Sequence, residues 1–330
     1  MKQKIIIGLS VVLLLLAVFL ISRDLFRSAP LLTESCCDNE IREMKQIDTT
    51  QLGFYRSKLW ETGMKGLTGI SVSDNRVVVC GNKLIAVFDT TGNRIGGFSI
   101  DSAATCVAIY DNDIYTGNGS AAAKYDFAGK LTARFSGTLD GSYITSITVT
   151  DEYVFMADAG RRRILKFTKS GNLVQEFGKK DSNSGSEGFV IPSPYFDIAC
   201  GGYNDLWIVN PGKLQIENFT ISGVKRSDWG DELSYDDRFT GCCNPAHFAL
   251  LPDGSFVTYE KGNDKIKVFD PTGKFRDLVA GAGSFKGKPD FLLGRNNLVK
   301  DIATDQSGRI YILDAYNRIN IFKEKTISAI

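Results

Sequence analysis

Histidine is almost missing from this 330-residue chain, in which His247 is the single copy. One imidazole cannot furnish a zinc centre that needs two or three of them, and any Ser-His-Asp triad would have to use this residue. No Gly-x-Ser-x-Gly elbow accompanies it. Cys-x-x-Cys-His is absent, which excludes covalent c-type haem, and neither a phosphate-binding loop nor a dinucleotide fingerprint occurs. Charge of one sign is missing too: 39 Lys and Arg face 38 Asp and Glu, for a formal net charge of +1. So balanced a chain carries no electrostatic footprint for nucleic acid. Long apolar runs are absent with one exception near the N-terminus, Ile5 to Ser22.

What is present is repetition. Asp158–Phe167 (DAGRRRILKF), Glu260–Phe269 (EKGNDKIKVF) and Asp314–Phe322 (DAYNRINIF) are one pattern: an acidic residue, a turn, a basic residue, then an alternating strand ending in Phe. Weaker copies end at Phe88, Tyr125 and Phe219, and Gly-containing turns follow several of them. The six aromatic anchors at 88, 125, 167, 219, 269 and 322 lie 37 to 53 residues apart by subtraction. That period is near the roughly 40–50 residues of a four-stranded propeller blade, so six anchors imply six blades. Within one blade the alternation gives strands at Ile144–Thr150, Tyr153–Ala157, Ile164–Phe167 and Leu173–Phe177. The last blade, Val299 to Phe322, has no good fourth strand after it. Phe54–Trp60, ahead of the first blade, is the candidate to pair there, closing the ring and removing its open edges.

These motifs resemble the NHL repeat, approximately Asp-x-Gly-Asn-x-Arg-Ile followed by an aromatic, over roughly residues 52–325. Asp158, Gly160, Arg163 and Ile164 match it, with Arg161 in place of Asn. Gly262, Asn263, Lys265 and Ile266 also match, with Glu260 for Asp. Asp314, Asn317, Arg318 and Ile319 match in a copy one residue short. The resemblance implies an all-β, six-bladed β-propeller of NHL/TolB-like type. In such blades residues at the places of Asp158, Asn210, Glu260 and Asp314 organise a turn through side-chain-to-backbone hydrogen bonds. The other reading makes them oxygen ligands of a calcium-dependent, lactonase-like hydrolase in the central channel. Gly241–Pro245 (GCCNP) resembles an element of a group of bacterial NHL-like proteins, and points to family membership more than to function.

The N-terminus sets the expected address. Lys2 and Lys4 precede the apolar run, whose seventeen or eighteen helical residues would span roughly 26 Å, near the lower limit for crossing a bilayer. No Ala-x-Ala site or lipobox cysteine follows, so the reading is an uncleaved signal anchor rather than a cleaved signal peptide. The expected organisation is a transmembrane helix over residues 1–22, a tether over 23–51, a propeller over 52–325 and a tail over 326–330. The chain would be a single-pass membrane protein, with the propeller on the periplasmic or extracytoplasmic side.

Seven cysteines are present. Cys80, Cys106 and Cys200 fall in apolar strand patterns and read as small buried hydrophobes. Cys36-Cys37 in the tether and Cys242-Cys243 are vicinal pairs at turn-like, polar positions. They could staple the tether to the propeller, bind a metal through up to four thiolates, act as a redox-active dithiol, or remain inert. His247 lies close by in sequence and is a candidate ligand, although a lone histidine at a strand start is more often a hydrogen-bonded structural residue. Arg161, Arg162 and Arg163, on one face with the insertion Lys179–Pro194, are the candidate partner surface, or else a solvated blade turn.

The expected function is a membrane-tethered module that binds a protein or peptide partner. The fold requires no cofactor, and a metal at the cysteine pairs stays open. The rivals are a cysteine-based redox or metal-linked accessory of a membrane electron-transfer system, and a metal-dependent hydrolase.

Overall fold

The computed structural model describes residues 52–73, 75–135, 141–180, 187–202, 205–230, 238–241, 243–285 and 297–326. Strand β1 (Phe54–Glu61) stands first in the chain. Five blades then follow in simple sequence order. Blade 1 is β2 (Leu67–Ser73), β3 (Arg76–Gly81), β4 (Leu84–Asp89) and β5 (Arg94–Ser99). Blade 2 is β6 (Cys106–Tyr110), β7 (Asp113–Gly117), β8 (Ala122–Asp126) and β9 (Leu131–Phe135). Blade 3 is β10 (Ile144–Val149), β11 (Tyr153–Asp158), β12 (Arg163–Thr168) and β13 (Leu173–Phe177). Blade 4 is β14 (Ile198–Cys200), β15 (Asp205–Asn210), β16 (Gln215–Thr220) and β17 (Lys225–Trp229). Blade 5 is β18 (His247–Leu250), β19 (Phe256–Glu260), β20 (Lys265–Phe269) and β21 (Phe275–Ala280). Blade 6 is β22 (Val299–Thr304), β23 (Ile310–Asp314) and β24 (Arg318–Glu324), and its fourth strand is β1.

The closure expected from Phe54–Trp60 is therefore present. β1 runs antiparallel to β24 from Phe54 opposite Glu324 to Glu61 opposite Arg318, with one bulge between Arg56 and Lys58. Its inward side chains Phe54 and Trp60 are buried while Tyr55 and Leu59 face out, the alternation of a half-buried strand. The first strands of successive blades touch in a closed ring, β2–β6–β10–β14–β18–β22 and back to β2. Hydroxyls stitch the neighbours together: Thr68 Oγ1 donates to Ala104 O at 2.8 Å, and Thr105 to Ile144 O and Thr145 to Phe196 O each at 2.6 Å.

The aromatic anchors sit on the third strand of all six blades. Phe88, Tyr125, Phe167, Phe219, Phe269 and Phe322 are each at most 6 % exposed, so the period in the sequence is the period of the packing between sheets. After the third strand comes a shared turn. Asp89 Oδ1 accepts the N–H of Thr91 and Asn93, and Asp126 and Asp270 make the same pair of bonds two and four residues on. The closing glycines Gly92, Gly129 and Gly273 have φ of 86 to 99°, a conformation that a Cβ penalises.

Two turn carboxylates, Asp270 and Asp305 (the latter between β22 and β23), also set the acid limit of the fold. Thr272 and two backbone N–H groups hold Asp270 below its ordinary value. Asp305 is likewise lowered: burial opposes it, but Ser307, the Arg309 N–H and guanidinium, and Tyr311 more than offset burial. A carboxylate depressed in the folded state stabilises above its unfolded pKa of about 3.9, and that contribution is lost as pH falls through the lower folded value. Their contribution should therefore be complete at pH 5 and above, and the urea midpoint should drop steeply below about pH 4. Asp305→Asn should blunt that drop; a midpoint independent of pH down to 3 contradicts the assignment.

Candidate functional site

The innermost strands carry one equivalent position per blade at the end where the chain enters the strand. Register defines it. Gly69 lies opposite Cys80, Cys106 opposite Gly117, Ser146 opposite Ala157, His247 opposite Tyr259 and Asp301 opposite Leu313. Asp197 belongs to the same ring, because its carbonyl accepts the Val209 N–H at 3.0 Å just ahead of the Ile198–Ile208 pair. Around the channel mouth the six residues thus read Gly, Cys, Ser, Asp, His, Asp. The ionisable side chains are contiguous, on blades 4, 5 and 6.

His247 is at the centre of that arc. Its Nδ1 lies 3.8 Å from Asp197 Oδ2 and 3.8 Å from Asp301 Oδ1, with the three side chains only 12–20 % exposed. At that separation neither contact is a hydrogen bond, so the attraction is coulombic. One ligand atom from each residue falls within 4.8 Å of the other two. The backbone aims both carboxylates. Asp197 accepts from Ile198 N at 2.9 Å, Phe248 N at 3.1 Å and the Ser146 hydroxyl. Asp301 accepts from Ile302 N at 2.8 Å and, across the closure, from Ile70 N at 2.8 Å. Aromatic rings wall the imidazole, Tyr195 edge-on at 5.8 Å and Tyr259 stacked at 6.3 Å between centroids.

Charge in this pocket is interdependent. Burial alone would lower the imidazole pKa, but the Asp197 and Asp301 carboxylates more than offset it, and the net shift is upward. Burial pushes Asp301 well above the usual carboxylate range; Asp197 adds to that and His247 opposes it. The cluster is built to hold positive charge, as protons or as a cation.

The opposite end of the channel is a separate feature. The turns after the innermost strands enclose a cavity of about 430 Å³ lined by Tyr110, Asp151, Cys200, Leu250, Asp305 and their neighbours. Tyr110 donates its hydroxyl to Asp151, and Lys169 lies 4.1 Å from the Tyr110 ring centroid.

The structure sorts the residues singled out from the sequence. Asp158, Asn210, Glu260 and Asp314 are all fully buried turn organisers. Asp158 accepts from Tyr143 N, Arg161 N, Ser142 Oγ and Arg163 Nε, and Asp314 from Tyr316 N, Arg318 N, Arg318 Nε and Asn320 Nδ2. Asn210 accepts from Val190 N, and Glu260 from Thr240 and Asn263 while pairing with Lys267 at 2.6 Å. Of the three arginines, Arg161 and Arg162 are exposed. Arg163 is a correction: it is 1 % exposed, paired with Asp158 at 2.9 Å and with Glu176, and offers nothing to a partner. In blades 3 and 6 the repeat's basic residue turns toward the buried acid at the strand end, Arg163 to Asp158 and Arg318 to Asp314 at 2.8 Å, whereas Glu260 of blade 5 pairs with Lys267.

The single-cysteine readings divide. Cys80 and Cys106 are buried. Cys200 is a second correction, since it is only partly buried and, at the end of β14, lines the far cavity. Cys243 is buried in a turn with φ of 65°. Cys36, Cys37, Cys242 and residues 1–51 lie outside the described residues, as does part of the 179–194 insertion. Among the described residues no helix is long and apolar enough to cross a membrane. Asp197 and Asp301 were not anticipated, although a signal exists. Asp197-Ile-Ala and Asp301-Ile-Ala are the same tripeptide, with His247-Phe-Ala and Cys106-Val-Ala as variants, and blade alignment puts their first residues in one ring.

Neither a family model nor a curated relative matches the sequence. Solved structures do match in fold. The WD40 β-propeller domain of Doa1 superposes with a TM-score of 0.55 at 10 % identity, over 79 % of each chain. A structural-genomics protein of unknown function from Bacteroides thetaiotaomicron gives 0.58 at 14 %, over 82 % of this chain and 76 % of its own. A catalytically inactive histidine-to-alanine virginiamycin B lyase from Staphylococcus aureus, solved with quinupristin, gives 0.53 at 16 %, over 82 % of this chain and all of its own. The chain is an all-β, six-bladed β-propeller. At these identities the likeness is one of fold.

Proposed function

We propose that this chain is a membrane-tethered, extracytoplasmic binding propeller of NHL type, which engages a protein or peptide partner on the face that carries Asp197, His247 and Asp301. The observation that supports it most is the contiguous Asp-His-Asp arc in a ring whose other three members are Gly, Cys and Ser. Topology puts the turns between second and third strands at the same end of the blades. Exposed Arg161 and Arg162 and the partly buried Lys261 therefore place positive charge on the rim beside an acidic centre, while Lys213 there is paired with the exposed Glu187 at 2.6 Å. Alternating sign from rim to centre suits a partner that presents a cationic tip within an acidic surround. The apolar run Ile5–Ser22 would anchor the propeller, and N-terminal sequencing of the mature chain tests that part.

A photo-crosslinking residue at position 161, in cells, should capture a partner. The same residue at position 91, in an exposed turn at the opposite end, should not. Asp301→Asn should weaken the capture from 161. Adducts only from position 91, or none from either, would sink the reading.

A second reading, a hydrolase or lyase acting at the same mouth, draws on the one histidine lying between two carboxylates. Turnover of a lactone and ester panel that disappears in His247→Ala would favour it. The cysteine-based redox alternative concerns residues that lie mostly outside the described ones.

A further inference from the structure

The three groups in the arc point at one another without touching. The imidazole Nδ1 is too far from either carboxylate for a hydrogen bond, yet each carboxylate is held in place by N–H donors from its own strand and from the next blade. A simple structural histidine would close that gap and donate to one aspartate at about 2.8 Å. Here the gap is kept at 3.8 Å on both sides. A cation centred among one oxygen of each aspartate and Nδ1 would lie roughly 2.0–2.5 Å from all three, the range of metal–nitrogen and metal–oxygen bonds.

We propose that Asp197, His247 and Asp301 bind one divalent first-row transition cation, such as zinc or manganese, at the mouth of the channel. Two carboxylate oxygens and one imidazole nitrogen are a mixed hard and borderline donor set. It suits those metals better than calcium or magnesium, which favour oxygen alone. Three protein ligands on neighbouring blades leave the remaining coordination positions facing the channel, the arrangement of a site that also accepts an outside ligand. The second shell is already built: Ser146 on Asp197, and the Phe248, Ile70 and Ile302 N–H groups on the carboxylates, fix the ligand orientations. The closure matters here, because the Ile70 N–H that orients Asp301 comes from blade 1. The cation rests on the binding reading given above and revises the tip it accepts: with the metal in place, the group that enters the centre would be a lone-pair donor such as a carboxylate or imidazole rather than a cationic side chain.

The single histidine makes the test direct. In the full-length chain, labelled on histidine and solubilised in detergent, only one imidazole signal exists. One equivalent of Zn²⁺ should shift it and Mn²⁺ should broaden it. His247→Gln and Asp301→Asn, checked for an unchanged melting curve, should each weaken Mn²⁺ binding by at least the roughly 10–100-fold that outer-shell partners already command. An imidazole signal unmoved by Zn²⁺ and Mn²⁺ overturns the site, including the case where zinc binds but only at cysteines. Undiminished Mn²⁺ affinity in both variants overturns it as well. If crosslinking from position 161 persists while the imidazole stays unmoved, the cation fails and the binding reading stands. A metal-responsive imidazole with no partner captured gives the reverse.

Discussion

Removing the closing strand, residues 52–61, is expected to abolish the cooperative fold, and Trp60→Ala alone to cost about 3–5 kcal/mol. Against a typical total of about 5–15 kcal/mol, either loss is a large share of stability. The reason is that β1 joins three blades. It pairs along β24 of blade 6. At its start Gly53 N donates to Leu278 O of blade 5 at 3.1 Å, and Phe54 packs into the blade 5–6 core. At its end Trp60 meets Tyr311 edge-on at 6.4 Å between ring centroids and packs with Leu67, Val77 and Phe88 of blade 1. Without β1, blade 6 keeps three strands and β24 exposes unpaired backbone along its outer edge, and edge-to-edge association follows. Urea unfolding of Trp60→Ala and size-exclusion of the deletion variant measure the two effects. A deletion variant that stays monomeric and melts like the parent would show that the ring does not depend on its closure.

The same closure shows what the sequence could and could not convey. Blade count, the third-strand aromatics and the odd placement of Phe54–Trp60 were legible because each depends on local alternation or on a repeat period, and packing between sheets preserves both. The Gly-containing turns after the third strands were legible for the same reason, since Asp89 and Asp270 hold them through bonds to residues two and four positions on. Asp197 and Asp301 were not, because what brings them to His247 is a ring contact across 50 and 54 residues of sequence, by subtraction. Each looks like one polar residue at the edge of an apolar strand. Only superposing all six blades reveals that three neighbours in the ring carry charge. Arg163 failed in the other direction: three consecutive arginines look like a surface patch, and the register of β11 with β12 then turns one of them into the core.

That inward turn of Arg163 leads to the second large effect. Asp158→Ala is expected to destabilise the propeller by about 3–5 kcal/mol, the usual cost of leaving one partner of a buried pair uncompensated. Arg163 is 1 % exposed and Asp158 fully buried, so water cannot take the carboxylate's place at the guanidinium. Glu176, on the outer strand of the same blade, is about a third exposed and cannot replace it, because it reaches the guanidinium from the solvent side. Asp158 also holds the Tyr143 and Arg161 N–H groups and the Ser142 hydroxyl, so its loss loosens the blade turn that presents Arg161 and Arg162. A double-mutant cycle separates the parts. Asp158→Leu and Arg163→Met each leave one buried charge without its partner, and the two together should recover much of what either loses alone, since paired apolar replacements of buried ions are often neutral. A coupling near zero in that cycle would mean that the two side chains are independent, and that Asp158 serves the turn alone.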